Sequence, residues 1–294
     1  MIANHVAVII PIYKEKPDKY ELISLRQCCK VLGNYPIRFV AQVHLKTTFY
    51  ENICNDVKDL WIERFDNQFF ENIHGYNSLL LSLEFYKRFK DFEYILLYQL
   101  DAWVFSDVLE YWCNAGYDYI GAPWFEGWHD ATSKSKILGV GNGGFSLRNV
   151  TSILNQIKIL KQLQVIYKYN KYNWKSLLTR IPTLIVDVMR YNSFTPAYRL
   201  TYGQEDYFWC IDMQNLYNEY INNKSFVAKL FKLLPIQKLK IADITTAMKF
   251  SMECQPARLF ALNNNSLPFG CHAWPKYDIE FWRPFIISAG YELP

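Results

Sequence analysis

Four places in this chain combine residue type and position in a way that can do chemistry: Asp101, the stretch Gly139 to Gly144, the pair Glu205-Asp206, and His272. Asp101 closes the run Glu93-Tyr-Ile-Leu-Leu-Tyr-Gln-Leu, whose length and β-rich composition predict a strand buried on both faces of a mostly parallel sheet. The C-terminal rim of such a sheet is where open α/β folds hold their ligands. An ionised aspartate is costly to bury alone, so Asp101 is expected to meet a cation or water there and to anchor the site. The other three places each have an ordinary structural explanation when taken singly. Four glycines make a tight turn, and two carboxylates in the first turn of a helix answer its unpaired N–H groups. One histidine in the turn-rich segment Pro268 to Pro275 can be purely structural.

The elements that must position these residues follow from hydrophobic pattern. His5 to Ile12 predicts a first strand ending at Pro11, and Tyr13 to Asp18 is either an ordinary loop or one wall of a nucleotide pocket beside Asp101. Tyr20 to Leu32 has helical spacing, Ile37 to Val43 reads as a second strand, and Phe49 to Phe70 holds a short helix and a strand. Asn77 to Phe89 predicts one helix, capped by Asn77 or Ser78, leading into the Asp101 strand. Strand and helix in alternation predict a right-handed, parallel α/β sheet. Beyond it, Val108 to Cys113 is helical, Tyr117 to Trp124 is a strand stopped by proline, and Phe125 to Lys136 is a polar loop. Helical spacing resumes over Thr151 to Tyr169 and again from Lys171 to Met189, the latter read as an insertion or acceptor-side structure. Another helix starts near Tyr202, and Phe226 to Lys240 is basic and amphipathic with a break at Pro235.

Composition bounds the class. Of 294 residues, 51% are hydrophobic and 20% charged, which excludes a disordered chain and provides for a sizeable core. A net charge of +4 favours an anionic ligand, but no basic run flanks a nucleic-acid motif, so no nucleic-acid partner is expected. Seven cysteines, an odd number with no CxxC pair, point to free thiols in a reducing compartment. No signal-peptide pattern and no apolar run of about 20 residues is visible. A cytoplasmic protein is therefore expected, with peripheral contact at the inner face of the cell membrane through the basic amphipathic segment as a further expectation. The sequence leaves the oligomeric state open.

Taken together and in this order, the four places resemble the glycosyltransferase A (GT-A) fold. More closely, the chain resembles a bacterial family of glycosyltransferase type defined as a domain of unknown function, DUF5672. The resemblance runs over roughly residues 60 to 275. It is carried by Gln99-Leu-Asp-Ala-Trp103, Tyr119-Ile-Gly-Ala-Pro-Trp124, Gly141-Asn-Gly-Gly-Phe-Ser-Leu-Arg148, Glu205-Asp206, Lys249-Phe-Ser-Met-Glu253 and Phe269-Gly-Cys-His272. It implies a single GT-A-like domain over 1–294: a mostly parallel central sheet flanked by helices, with a helical insertion. About 1–150 would bind the nucleotide sugar, and about 151–294 would form the acceptor side.

What the resemblance implies for chemistry is transfer of a sugar from a UDP-type donor to a glycan or lipid-linked glycan acceptor, in surface polysaccharide synthesis and with inversion. Asp101 and His272 would ligate Mn2+ or Mg2+, which offsets the charge of the departing diphosphate. The family's metal motif has an acidic residue where this chain has Gln99, a residue able instead to hydrogen-bond a ribose. Pro11, Tyr13, Gly143 and Gly144 would contact the donor, and Arg148 would pair with a phosphate or form a surface salt bridge. Asp206 would be the base for the acceptor hydroxyl, with Glu205 holding the acceptor or orienting the loop. Trp103, Trp124 and Trp274 are candidates for stacking on sugar faces, Trp124 and Trp274 on the acceptor, unless they serve core packing. Two other classes remain in view: a non-catalytic module binding nucleotide sugar or glycan, and, ranked below it, a sugar nucleotidyltransferase.

Overall fold

The apolar runs of the first hundred residues become parallel strands because both their faces are covered. The strands are β1 (Val6–Pro11), β2 (Ile37–Gln42), β3 (Leu60–Phe65), β4 (Tyr94–Tyr98), β5 (Trp103–Val104), β6 (Tyr119–Ile120), β7 (Ala122–Phe125), β8 (Ile137–Gly141), β9 (Phe145–Asn149), β10 (Ser251–Met252) and β11 (Gly270–Cys271). The first six helices are α1 (Lys19–Leu32), α2 (Thr48–Ile53), α3 (Ile73–Leu80), α4 (Leu83–Arg88), α5 (Leu109–Asn114) and α6 (Val150–Tyr169). This computed structural model describes residues 5–169, 179–180, 182–183, 204–224 and 237–293.

The main sheet has the order β3-β2-β1-β4-β9-β6. The first four strands are parallel, while β9 runs antiparallel to both β4 and β6. The expected mostly parallel central sheet flanked by helices is therefore present, with one reversed strand that the glycine-rich run concealed. Every residue of β1 and β4 is buried. Ala7, Ile9, Ile95 and Leu97 enter one core, and Val6, Val8, Leu96 and Tyr98 enter the other, as period-two alternation requires. A smaller sheet, β10-β11-β5, sits over a third core containing Trp103, Trp274 and Trp282.

Two predicted elements divide. The helix expected over Asn77 to Phe89 is two helices, because Ser82 leaves the helical conformation and its hydroxyl caps α4 by accepting from the Phe85 N–H at 3.0 Å. The first of them, α3, is capped by Asn72, while Asn77 lies inside it. The strand expected over Tyr117 to Trp124 is also two, β6 in the main sheet and β7 in a hairpin with β8. Pro123 is no stop but a β7 residue paired with Val140 in that two-stranded ribbon, where a missing N–H is tolerated.

The cysteines are free thiols, as expected. No helix among the described residues is long and apolar enough to cross a membrane. Most of the helical pattern Lys171 to Met189, and the amphipathic segment up to residue 236, lie outside the described residues.

Candidate active site

The site is assembled by strands too short to show a pattern in sequence. β11 pairs with β5 antiparallel, Cys271 opposite Trp103, so the residues just before β5 and just after β11 are neighbours. His272 follows β11 and Asp101 stands two positions ahead of β5, with Asp101 Oδ1 at 3.2 Å from His272 Nε2. β10 pairs with β11 in parallel, Met252 opposite Cys271, and this sets Glu253 beside His272 as well. His272 Nδ1 lies 2.8 Å from Glu253 Oε1, and Gln99 Oε1 lies 3.1 Å from Nε2. The Gln99 amide in turn donates to the Tyr76 hydroxyl at 3.1 Å.

The glycine loop arrives by the other reversed pairing. β9 lies antiparallel to β4 with Phe145 opposite Tyr98, which continues into a Gln99 N–H bond to the Gly144 carbonyl at 2.8 Å. Gly144 faces His272 so closely that an added Cβ would fall 1.9 Å from Nε2. Asn142 takes a left-handed conformation at φ 76°, and its Oδ1 accepts from the Gly144 and Phe145 N–H groups. Its Nδ2 is buried without a partner among the described residues. The Asn142 N–H donates to Asp206 Oδ2 at 3.0 Å and the Tyr207 N–H to Asp206 Oδ1 at 2.9 Å, so both carboxylate oxygens are fixed.

Beneath that carboxylate lies a fully buried ion pair. Arg148 on β9 donates to both oxygens of Glu205, at 2.5 and 3.2 Å, and also to Tyr86 and Ser146. The Glu205 N–H donates to Asn77 Oδ1 at 3.2 Å. Central sheet, α3 and the start of the helix Glu205–Tyr207 are thereby tied together just below Asp206.

Two adjoining cavities open here. The first, about 360 Å3, is lined among others by Asp101, Gly143, Gly144, Asp206, His272 and Trp124. The second, about 660 Å3, is lined among others by Pro11, Tyr13, Glu21, Phe70 and Asn72. Ile73, Tyr76, Gln99, Asp101 and Lys276 line both and mark the junction.

Most sequence candidates are thus brought together, and three are not. Arg148 lines neither cavity and forms no surface salt bridge, because Glu205 claims it in the interior. Trp103 and Trp274 are wholly buried in the third core, where the Trp274 Nε1–H donates to Ser24 Oγ, so neither offers a face to a sugar. Glu205 lines the first cavity, with both its oxygens committed to Arg148. Glu253, Lys276, Tyr76 and Trp128 had no sequence role. The Glu253 motif carried a signal, but only the β10–β11 register shows what it touches.

Burial and neighbouring charge set the protonation states. Desolvation lowers the His272 imidazole, yet Asp101 and Glu253 outweigh it and raise its pKa to about 10. Desolvation raises Asp101, and the His272 charge and hydrogen bond reverse this to hold it below the usual range. Burial pushes Glu205 up to about 7 against the pull of Arg148. Burial also raises Asp206, and the two N–H bonds only partly offset it.

The donor set fits a hard divalent cation in part. Adjacent ligands of a six-coordinate cation at roughly 2.1 Å stand about 3 Å apart, close to the spacing of Asp101, Gln99 and His272 atoms here. Glu253 on the far ring nitrogen is the partner that orients a ligating imidazole, with the cation replacing the proton at Nε2. Among the described residues no group of three or more His, Cys, Asp or Glu side chains is placed to hold a metal, so the remaining ligands would come from the substrate.

The family model described as "Protein of unknown function (DUF5672)" matches residues 59–272, well over half the chain. No curated protein matches. Among solved structures, the chain is similar to the galactosyltransferase LgtC in complex with donor and acceptor sugar analogues, at 12% identity and TM-score 0.43, over 98% of this chain and 97% of that one. It is similar to mouse xyloside xylosyltransferase 1 at 10% identity and TM-score 0.42, over 91% and 96%. It is also similar to core-mannan synthase A from Aspergillus fumigatus, in its Mn/GDP form, at 12% identity and TM-score 0.38. That last likeness covers 50% of this chain and spans 60% of the synthase chain. At such identities and scores these likenesses carry nothing about the chemistry of this chain.

Proposed function

The chain belongs to the DUF5672 family, and on that premise we propose that it is a glycosyltransferase moving a sugar from a nucleotide-sugar donor to a glycan acceptor. One observation supports this above the rest: Asp101, His272 and Asp206, far apart in sequence, line a single cavity that adjoins the larger one behind Pro11 and Tyr13. On this proposal the larger cavity would take the nucleoside, the junction the diphosphate and the smaller cavity the sugar.

In this reading Asp206 removes the acceptor hydroxyl proton. The new C–O bond forms as the bond from sugar to diphosphate breaks, and the electron pair leaves with the diphosphate. Asp206 suits the role because burial raises its carboxyl toward the working range of a base. Its two backbone N–H bonds also fix the direction in which it accepts. Asp101, His272 and Gln99 would hold a divalent cation of the Mn2+ or Mg2+ kind, which when bound supplies positive charge to the leaving diphosphate. Lys276, at the junction, adds a fixed positive charge of its own. Direct displacement with a single base gives inversion, and a UDP donor in polysaccharide synthesis at the cytoplasmic face is the setting we infer.

Nucleotide release from a panel of UDP- and GDP-sugars, with Mn2+ present, tests the reading. Asp206→Asn is expected to lower turnover by about 10²–10⁴, and Asp101→Ala to lower it as well. Unchanged turnover in both variants would remove the assignment.

A further inference from the structure

Part of the wall that the first cavity does not share with the second is aromatic. Trp124 and Trp128 line it with ring centroids 5.1 Å apart, and Tyr207 backs them, stacked on Trp124 at 6.0 Å and 5.8 Å from Trp128. Trp124 is pinned. Its ring lies against Gly141, where an added Cβ would come within 1.7 Å of it. The catalytic carboxylate stands at the next residue, since Asn142 is the one whose N–H holds Asp206. Half-buried Trp128 belongs to a short turn, Trp128–Asp130, crossing from β7 towards β8. That turn is tied by a hydrogen bond between His129 and Tyr277, both lining residues, and its exit by a bond from Gln255 to the Ala131 carbonyl at 2.7 Å.

Charge at this wall is one-sided. Carboxylates of Asp101, Glu205, Asp206 and Glu253 all line the cavity, while Lys276 is the single lysine or arginine among the described lining residues. Lys276 stands at the junction with the second cavity, its ammonium 4.9 Å from the centroid of the Tyr277 ring. Asp101 and Glu253 are paired with His272, and Glu205 is paired with Arg148. The unpaired carboxylate left beside the aromatic wall is therefore Asp206, opposed among the described lining residues by one lysine.

We propose that the half-buried Trp128 indole, backed by the buried Trp124, forms an acceptor subsite for a neutral sugar ring, laid by its apolar face on that indole with one hydroxyl turned to Asp206. Glycans ending in a uronic or sialic acid are excluded by the same carboxylates. This rests on the glycosyl-transfer reading and adds the class of acceptor to it. Stacking on one indole face supplies binding without reading individual hydroxyls, so acceptor charge matters more here than sugar stereochemistry.

The test is a glycan array holding neutral glycans and their acid-terminated counterparts, probed with the full chain in the presence of UDP or GDP and Mn2+. Binding is expected only to neutral members. Trp128→Ala is expected to weaken it by about tenfold, the upper range for one aromatic face, with Trp128→Phe retaining most of it. Equal binding of acid-terminated glycans, binding of no glycan, or undiminished binding by Trp128→Ala would each overturn the proposal. Nucleotide release by the unaltered protein without glycan separates the two claims. Release without neutral preference removes only the acceptor assignment, and no release from any sugar nucleotide removes the transfer reading.

Discussion

Replacing Gly144 by alanine puts the site's geometry to a sharp trial. An alanine Cβ there would stand 1.9, 2.2 and 2.4 Å from three atoms of the His272 ring, where carbon contacts normally settle near about 3.5–4.0 Å. The ring must therefore retreat by more than about 1 Å, and it has no slack. It is held at 2.8 Å by Glu253, at 3.2 Å by Asp101 and at 3.1 Å by Gln99. Neither Gly143 nor Gly144 has a positive φ, so backbone strain adds nothing at either position. The expected cost is that of overpacking, about 2–3 kcal/mol. Gly143→Ala is the control, because its Cβ would meet Glu205 Oε2 at 3.3 Å, a contact relieved by a few tenths of an ångström, and otherwise atoms at an ordinary 3.8 and 3.9 Å. It should cost less than about 1 kcal/mol. Urea unfolding gives both values, and NMR titration reports on the ring itself. In the unaltered protein His272 should titrate near pH 10, and in Gly144→Ala it should fall back toward the ordinary histidine value as the carboxylates lose contact. Equal midpoints for the two variants, with an unmoved His272 titration, would refute the reasoning.

Two further outcomes follow from the buried charges. Arg148→Met strands the Glu205 carboxylate in the interior and should cost about 3–5 kcal/mol at pH 8. The loss should shrink at pH 5, where Glu205, already raised to about 7, takes a proton, and Arg148→Met with Glu205→Gln should recover part of it, all read by urea unfolding. The His272 pKa is raised on folding, so its contribution to stability is complete below about pH 6.5 and is lost as pH climbs through about 10. The unfolding midpoint of the unaltered protein should accordingly fall toward that of His272→Gln between pH 7 and 10, and parallel curves would contradict it.

The parts of the fold that were legible are those with a continuous signal. β1 and β4 read clearly because unbroken apolar runs are buried on both faces, and Asp101 comes just past the end of β4, after Gln99 and Leu100. The convergence of His272 and Glu253 on Asp101 was not derivable from pattern, since β5, β10 and β11 are two residues each and show no periodicity. Arg148 misled for a related reason. Following the glycine loop it reads as a partner for a phosphate or a surface carboxylate, whereas Ser146 and Arg148 on β9 point into a core that holds Glu205. Trp103, Trp124 and Trp274 are alike in composition, and only packing separates the one that lines the cavity from the two sealed in the third core.

Diffraction from crystals soaked with UDP or GDP and Mn2+ addresses the joined two-cavity site most directly. Nucleotide density against Pro11 and Tyr13, with an anomalous peak bonded to Asp101 Oδ1 and His272 Nε2, is the expected result. Nucleotide bound elsewhere, or a cation peak away from both side chains, would contradict it.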